Sequence, residues 1–76
     1  MTLSKDRLRP EASRSGLTPR ERETLGHIAR GCTYGQAARR MGISPATIDT
    51  YLQRIREKSG LSTMAELIRL AVTLNL

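Results

Sequence analysis

The chain has 76 residues, which allows one domain with one small core and leaves little room for a large catalytic pocket. It has two Tyr, no Trp and no Phe, so the core must be aliphatic. A single Cys and a single His exclude a disulfide framework, and they predict that the chain has no metal or cofactor site. The 13 Lys and Arg against 7 Asp and Glu give a net charge of +6 at pH 7, which favours a polyanionic partner such as nucleic acid without indicating specificity.

Residues 1–16 contain Pro10, Gly16, several Ser and mixed charges, with no sustained apolar period. We interpret them as a flexible N-terminal tail or linker, and residues 17–76 as one helical domain. The N-terminus lacks the hydrophobic stretch of a signal peptide, and no apolar run approaches the roughly 18 residues of a membrane span. These features predict a cytoplasmic protein that does not associate with a membrane.

Two helices are predicted after the tail, each between a capping threonine and a glycine. The first begins after Thr18, because a proline follows this hydroxyl cap and Glu21 completes a capping box. The second begins after Thr33, with Gln36 as the partner in the box, and is about two turns long. The glycines that end these helices are Gly31 and Gly42. The residues expected on their inner faces are Leu25, Ile28, Ala29, Ala37, Ala38 and Met41.

A third helix follows at once, because Ser44 and Pro45 provide a cap and a proline at the first helical position. A short turn containing Gly42 between two helices is the outline of a helix-turn-helix, although a generic helical hairpin has the same outline. At about 3.6 residues per turn, one side of this helix gathers residues expected to face the core. They are Ile48, Tyr51, Leu52, Ile55 and Ser59. We expect the Ser59 hydroxyl to bond to the carbonyl of Ile55.

The opposite side of the third helix begins with short side chains and continues with amide and guanidinium groups. Its members are Ala46, Thr47, Asp49, Thr50, Gln53, Arg54 and Glu57. Short residues let a helix approach the major groove of DNA, where Gln pairs with adenine, Arg with guanine or phosphate, and the Thr methyl contacts thymine. An ordinary solvated face can have the same composition, so composition alone leaves both interpretations open.

The last helix begins after Ser62 or Thr63, where Thr63 and Glu66 form another capping box. Its apolar residues cover roughly half of its circumference, which is more than one buried stripe requires. We expect part of this surface to form a dimer that reads two DNA half-sites. The residues predicted at the dimer interface are Met64, Leu67, Ile68, Ala71 and Val72. The alternative is a contact with another domain of a longer protein.

Several blocks at consistent mutual spacing make the sequence more specific than a generic helical bundle. They are LTPRERE at 17–23, IARG at 28–31, ARRMGIS at 38–44, TI at 47–48, and Lys58 followed by GLST at 60–63. Over residues 17–74 the chain resembles the LuxR/GerE family of bacterial DNA-binding domains. The resemblance implies an all-α, four-helix fold whose second and third helices form the helix-turn-helix and whose fourth helix makes a homodimer. It also implies a transcription activator or repressor that binds double-stranded DNA. RNA polymerase is a further candidate partner.

The resemblance further implies which residues contact DNA. The base-reading positions of the family fall on Asp49, Thr50 and Gln53. The phosphate-contacting positions fall on Thr33, Tyr34, Thr47, Arg54 and Lys58. The sequence departs from the family pattern at Asp49, where Lys is common, and at Tyr51, where His is common. A carboxylate facing the groove either accepts a hydrogen bond from cytosine or weakens binding to every sequence.

Other functions are compatible with the sequence. A degenerate domain of this fold could bind another regulator through its apolar fourth helix, with Asp49 weakening the groove-facing surface. A sigma-factor-like domain could contact promoter DNA only within polymerase. An enzyme is the weakest alternative, since the acidic residues are scattered over exposed faces and no nucleophile has a suitable base. We therefore predict a sequence-specific, dimeric regulator that binds double-stranded DNA and whose affinity falls steeply with salt.

Overall fold

The computed structural model describes residues 16–76, which contain four α-helices and no strand. Helix α1 is Pro19–Ala29, α2 is Tyr34–Met41, α3 is Pro45–Ser59 and α4 is Met64–Thr73. The predicted all-α fold of four helices is confirmed. Apart from Gly16, the predicted tail lies outside the described residues. No helix within residues 16–76 is long and apolar enough to cross a membrane.

Every helix begins at the cap that the sequence predicted. The three threonine caps accept a hydrogen bond from the backbone N–H three residues later, and the side chain of that later residue returns to the N–H of the cap. These caps are Thr18, Thr33 and Thr63. At the start of α3, the side chain of Ser44 accepts from the N–H of Thr47. Gly42 ends α2 with φ 70°, a left-handed conformation that favours glycine, and so permits the sharp turn into α3.

The core is aliphatic and is shared by all four helices. Its buried members are Leu17, Leu25, Ile28, Ala37, Ala38, Met41, Ile48, Leu52, Ile55, Leu67 and Ala71. Helix α1 lies at the centre and packs against α2, α3 and α4, while α2 also packs against α3. The helix-turn-helix pair therefore rests on α1, which positions α3 relative to the rest of the domain.

Two residues expected at the dimer interface lie in the core of the single chain. Leu67 and Ala71 are 0% exposed, because α4 uses this face to pack against α1. Neither side chain is accessible to a second copy, so the predicted interface loses these two residues and stays a prediction for Met64, Ile68 and Val72. Val72 is 73% exposed, and Met64 and Ile68 are half-buried. These three residues recur every four positions, which places them on one stripe of the helix beside the buried one.

The hydroxyl of Ser59 also differs from expectation. Its Oγ accepts a hydrogen bond from the N–H of Leu61 at 3.2 Å. The predicted bond to the carbonyl of Ile55 is replaced because α3 ends at Ser59, so that its hydroxyl satisfies the backbone of the following loop.

Candidate nucleic-acid interface

The outward face of α3 is determined by the side chains that anchor it from behind. Ile48, Leu52 and Ile55 are 0% exposed, so the helix cannot rotate about its axis without removing them from the core. The polar residues of the opposite side are exposed together, apart from the half-buried Thr47. They are Asp49, Thr50, Gln53 and Arg54. The structure thus brings the predicted base-reading residues onto one continuous surface, with the carboxylate of Asp49 facing outward.

Two threonine hydroxyls on α3 have hydrogen-bond partners within the protein. Thr50 Oγ1 donates to the carbonyl of Ala46 at 3.1 Å, and Thr47 Oγ1 lies 3.0 Å from Ser44 Oγ. Because its proton is engaged, Thr50 can offer a base edge only its methyl group or an oxygen lone pair. The sequence predicted only an apolar contact of a Thr methyl with thymine, and the bond of the Thr50 hydroxyl to Ala46 is compatible with that contact.

The N-terminus of α2 contains the other predicted contact residues, Thr33 and Tyr34. Thr33 is exposed, but its N–H donates to Gln36 Oε1 at 2.8 Å and its Oγ1 accepts from the N–H of Gln36 at 3.1 Å. Tyr34 is half-buried and packs against the core. The backbone N–H groups of Tyr34 and Gly35 belong to the first turn, which has no intrahelical acceptors, so they are the donors suited to a phosphate.

Three arginines are exposed on the same two helices. Arg39 and Arg40 lie in the last turn of α2, and Arg54 lies on α3. Their charges attract the phosphate backbone whatever its sequence, which supplies affinity rather than selectivity. No group of His, Cys and acidic side chains within the described part of the chain could hold a metal ion.

Lys58, predicted to contact a phosphate, is bonded to a buried carboxylate. Its Nζ lies 2.8 Å from Glu21 Oε1, which also accepts the N–H of Thr18 at 3.0 Å. Glu21 is only 1% exposed, whereas the Lys58 side chain is 36% exposed. This ion pair joins the first turn of α1 to the last turn of α3. The sequence showed Glu21 only as part of a capping box, because a partner 37 residues away leaves no local signal.

The pKa of Glu21 is lowered below its ordinary value of 4.5. Burial is the largest single influence and raises this pKa, but the hydrogen bonds from Lys58 and Thr18 together with the charge of Lys58 outweigh it. The folded chain therefore binds this proton less tightly than the unfolded chain. Its contribution to stability is present above pH 4.5 and is lost as the pH falls through the lower, folded-state pKa.

Glu21→Gln tests this contribution. The amide oxygen of Gln can still accept from Thr18, but the charge opposite Lys58 is lost, so we expect a decrease of about 1–2 kcal/mol in the free energy of unfolding at neutral pH. The difference should shrink as the pH falls through the lowered, folded-state pKa of Glu21, because the wild-type carboxyl then becomes protonated as well. Urea unfolding across this pH range measures it. The exposed pair of Glu23 with Arg20 provides the control, since Glu23→Gln should change stability by under about 0.5 kcal/mol. A pH-independent effect of Glu21→Gln would contradict the prediction.

The sequence matches, over residues 15–71, the family described as bacterial regulatory proteins, luxR family. The transcriptional regulatory protein MctR of Rhizobium johnstonii is 41% identical over 64 residues, which cover 84% of this chain and 30% of that protein. FixJ of Bradyrhizobium diazoefficiens is 34% identical over 58 residues, 76% of this chain and 28% of FixJ. The tetrathionate response regulatory protein TtrR of Salmonella typhimurium is 38% identical over 53 residues, 70% of this chain and 26% of TtrR. No solved structure matches.

The matched region is most of this chain but a small part of the relatives. The chain spans less than a third of the length of MctR, FixJ and TtrR. The family match extends from the residue before Gly16 to Ala71 and so includes α1, α2, α3 and most of α4. This chain therefore belongs to the LuxR family of bacterial regulatory proteins, and it is a DNA-binding domain of transcription regulation rather than an enzyme.

Proposed function

We propose that the chain binds a specific duplex sequence as a homodimer, with α3 in the major groove. The observation that carries this proposal is the exposed surface of Asp49, Thr50, Gln53 and Arg54 opposite three fully buried side chains of the same helix. The side-chain amide of Gln53 would pair with adenine, and Asp49 would accept from the amino group of cytosine. Arg54 and the N-terminus of α2 would hold the phosphate backbone and set the orientation of α3.

The homodimer is supported by the exposed stripe of α4. Val72 is 73% exposed and shares the stripe with the half-buried Met64 and Ile68, so packing against a second α4 would remove apolar surface from water. A two-fold dimer would present two copies of α3 to two half-sites, which multiplies the weak affinity of one small domain. RNA polymerase is the further partner that we propose for the dimer bound at a promoter.

Selection of bound sequences from random duplex DNA, with purified protein at two salt concentrations, tests the proposal. We expect one enriched sequence with two-fold symmetry. We also expect the logarithm of the association constant to fall linearly with the logarithm of the salt concentration, by about 0.9 for each phosphate contacted. Affinity that does not depend on salt, or the absence of an enriched sequence, would overturn DNA recognition by α3.

Val72→Lys separates dimerisation from DNA contact. A charge on the exposed stripe should prevent two copies of α4 from packing against each other. We therefore expect sedimentation to show a monomer, and binding to a duplex with two half-sites to be at least about tenfold weaker. Binding to a single half-site should be unchanged. Thr73→Lys is the matched control, because it adds the same charge at the next exposed position. Equal effects of both substitutions on sedimentation would exclude this stripe as the interface.

The second candidate function is a protein-interaction module that binds another regulator through α4. The exposure of Val72 favours it as well, since an apolar side chain on a helix surface suits either a second copy or a different partner. This function predicts no enriched DNA sequence and a partner whose affinity is insensitive to salt.

A further inference from the structure

A shallow groove lies between α1 and the residue at the C-terminal end of the chain. Its volume is about 300 Å³, and most of its lining is apolar. Its lining residues are Pro19, Arg22, Glu23, Gly26, Arg30 and Leu76. The groove thus combines apolar walls with the guanidinium groups of Arg22 and Arg30, and neither group belongs to the proposed DNA surface.

Arg22 contributes a hydrogen-bond donor without an acceptor. Within residues 16–76, Nη1 of Arg22 is buried and has no hydrogen-bond partner. A buried, charged N–H that lacks an acceptor is unfavourable, because it has lost its water without gaining a protein partner. Because Arg22 also lines the groove, a carboxylate bound there could accept hydrogen bonds from its guanidinium group.

The other charged groups of the groove leave room for a carboxylate. Glu23 is directed to Arg20, with Oε1 3.0 Å from Arg20 Nη1. Arg30 lies over Gly26, since a Cβ on this glycine would be 3.4 Å from Arg30 Nη1. Arg30 Nη2 is 3.3 Å from His27 Nδ1, and because an imidazole carries no negative charge, this contact does not neutralise the positive charge of Arg30.

The groove faces away from the helix-turn-helix. At about 100° per residue, Arg22 and Gly26 lie on the opposite side of α1 from Thr24. Thr24 faces α2, because its Oγ1 is 3.3 Å from the sulfur of Met41. A molecule in the groove therefore leaves α2 and α3 accessible to DNA.

We propose that this groove binds an acidic segment of a partner protein, with a Glu or Asp carboxylate on Arg22 and Arg30 and an aliphatic side chain against the apolar walls. A DNA phosphate fits less well, because the lining is mostly apolar and the groove lies behind the DNA surface. Residues 1–15 of the same chain also fit less well, since their basic residues outnumber their acidic ones by four to two. The partner would bind while α3 remains on DNA.

A titration of the isotopically labelled chain with a blocked peptide of alternating leucine and glutamate tests the proposal. We expect NMR shifts at the side-chain Nε–H of Arg22 and Arg30 and at the amide of Gly26, and none with the peptide in which glutamine replaces glutamate. Arg22→Gln should weaken binding at least about tenfold, because a charge-assisted pair is lost. Arg40→Gln removes the same charge from an exposed position on α2 and should change affinity less than about twofold.

Gly26→Ala provides a second variant that should fold well. Its new Cβ would meet only the flexible end of Arg30 and, at 3.7 Å, the Cβ of Leu76, and alanine favours a helix interior more than glycine does. We expect a higher melting temperature and weaker peptide binding, because the floor of the groove is filled.

The outcomes distinguish this proposal from the proposed DNA binding. Equal losses in Arg22→Gln and Arg40→Gln would indicate non-specific attraction, and release of the peptide by duplex DNA would place it on α3; either result overturns the groove as the site. Arg22→Gln should retain full DNA affinity, so the groove can fail while DNA recognition stands.

Discussion

Replacing Gln53 by alanine should weaken binding to the best duplex site by about 1–3 kcal/mol, roughly fivefold to 150-fold. Gln53 is exposed on the same side of α3 as Asp49, and its amide can donate to and accept from one adenine at once. The loss should be confined to sequences with the preferred base at one position. Binding to duplexes altered at that base pair should therefore differ little between the variant and the wild type.

Arg54→Ala is the matched control for Gln53→Ala. Arg54 is exposed on the same helix. If it contacts phosphate, its replacement should weaken binding to all duplexes alike and reduce the salt dependence of binding by about one phosphate contact. Fluorescence anisotropy with a panel of single-base variants at two salt concentrations separates the two patterns. Wild-type affinity in both variants would exclude α3 as the helix that reads DNA.

Leu67→Ala should lower the free energy of unfolding by about 3 kcal/mol, since truncation of a buried leucine typically costs 2–5 kcal/mol. Leu67 is 0% exposed on the face of α4 that packs against α1, so the cavity would form inside the single chain. A domain of this size has roughly 5 kcal/mol of stability in total, and a large part of it would be lost. The loss should be the same at every protein concentration, because no second copy is involved.

Val72→Ala is the control for Leu67→Ala. Val72 is 73% exposed, so the same kind of truncation should change the stability of the single chain by under about 0.5 kcal/mol. Thermal unfolding at several protein concentrations measures both effects. If Leu67→Ala reduced stability only at concentrations where the chain is dimeric, Leu67 would be an interface residue after all.

Local signals in the sequence predicted where the helices begin. Thr18, Thr33 and Thr63 bond to backbone groups only three residues away, so the residues that specify a cap are also those that form it. The same holds for the orientation of α3. Its apolar period predicted which residues face inward, and the burial of Ile48 and Leu52 confirms it.

Contacts between distant residues required the tertiary structure. The excess of apolar residues on α4 predicted a second contact surface, but only packing against α1 showed that Leu67 and Ala71 belong to the core and Val72 does not. The bond of Lys58 to Glu21 was not detectable either, since the sequence does not distinguish a lysine that contacts phosphate from one that is paired with a buried carboxylate.

The sequence by itself thus determined that four capped helices form, in which order, and which side of the third helix turns outward. Only the tertiary structure decided which side chains of the fourth helix remain for a partner and where Arg22 and Arg30 line a common groove. The physical reason is the range of the interactions. Caps and helical periodicity act within one or two turns, whereas burial and ion pairs depend on how the chain brings α1, α3 and α4 together.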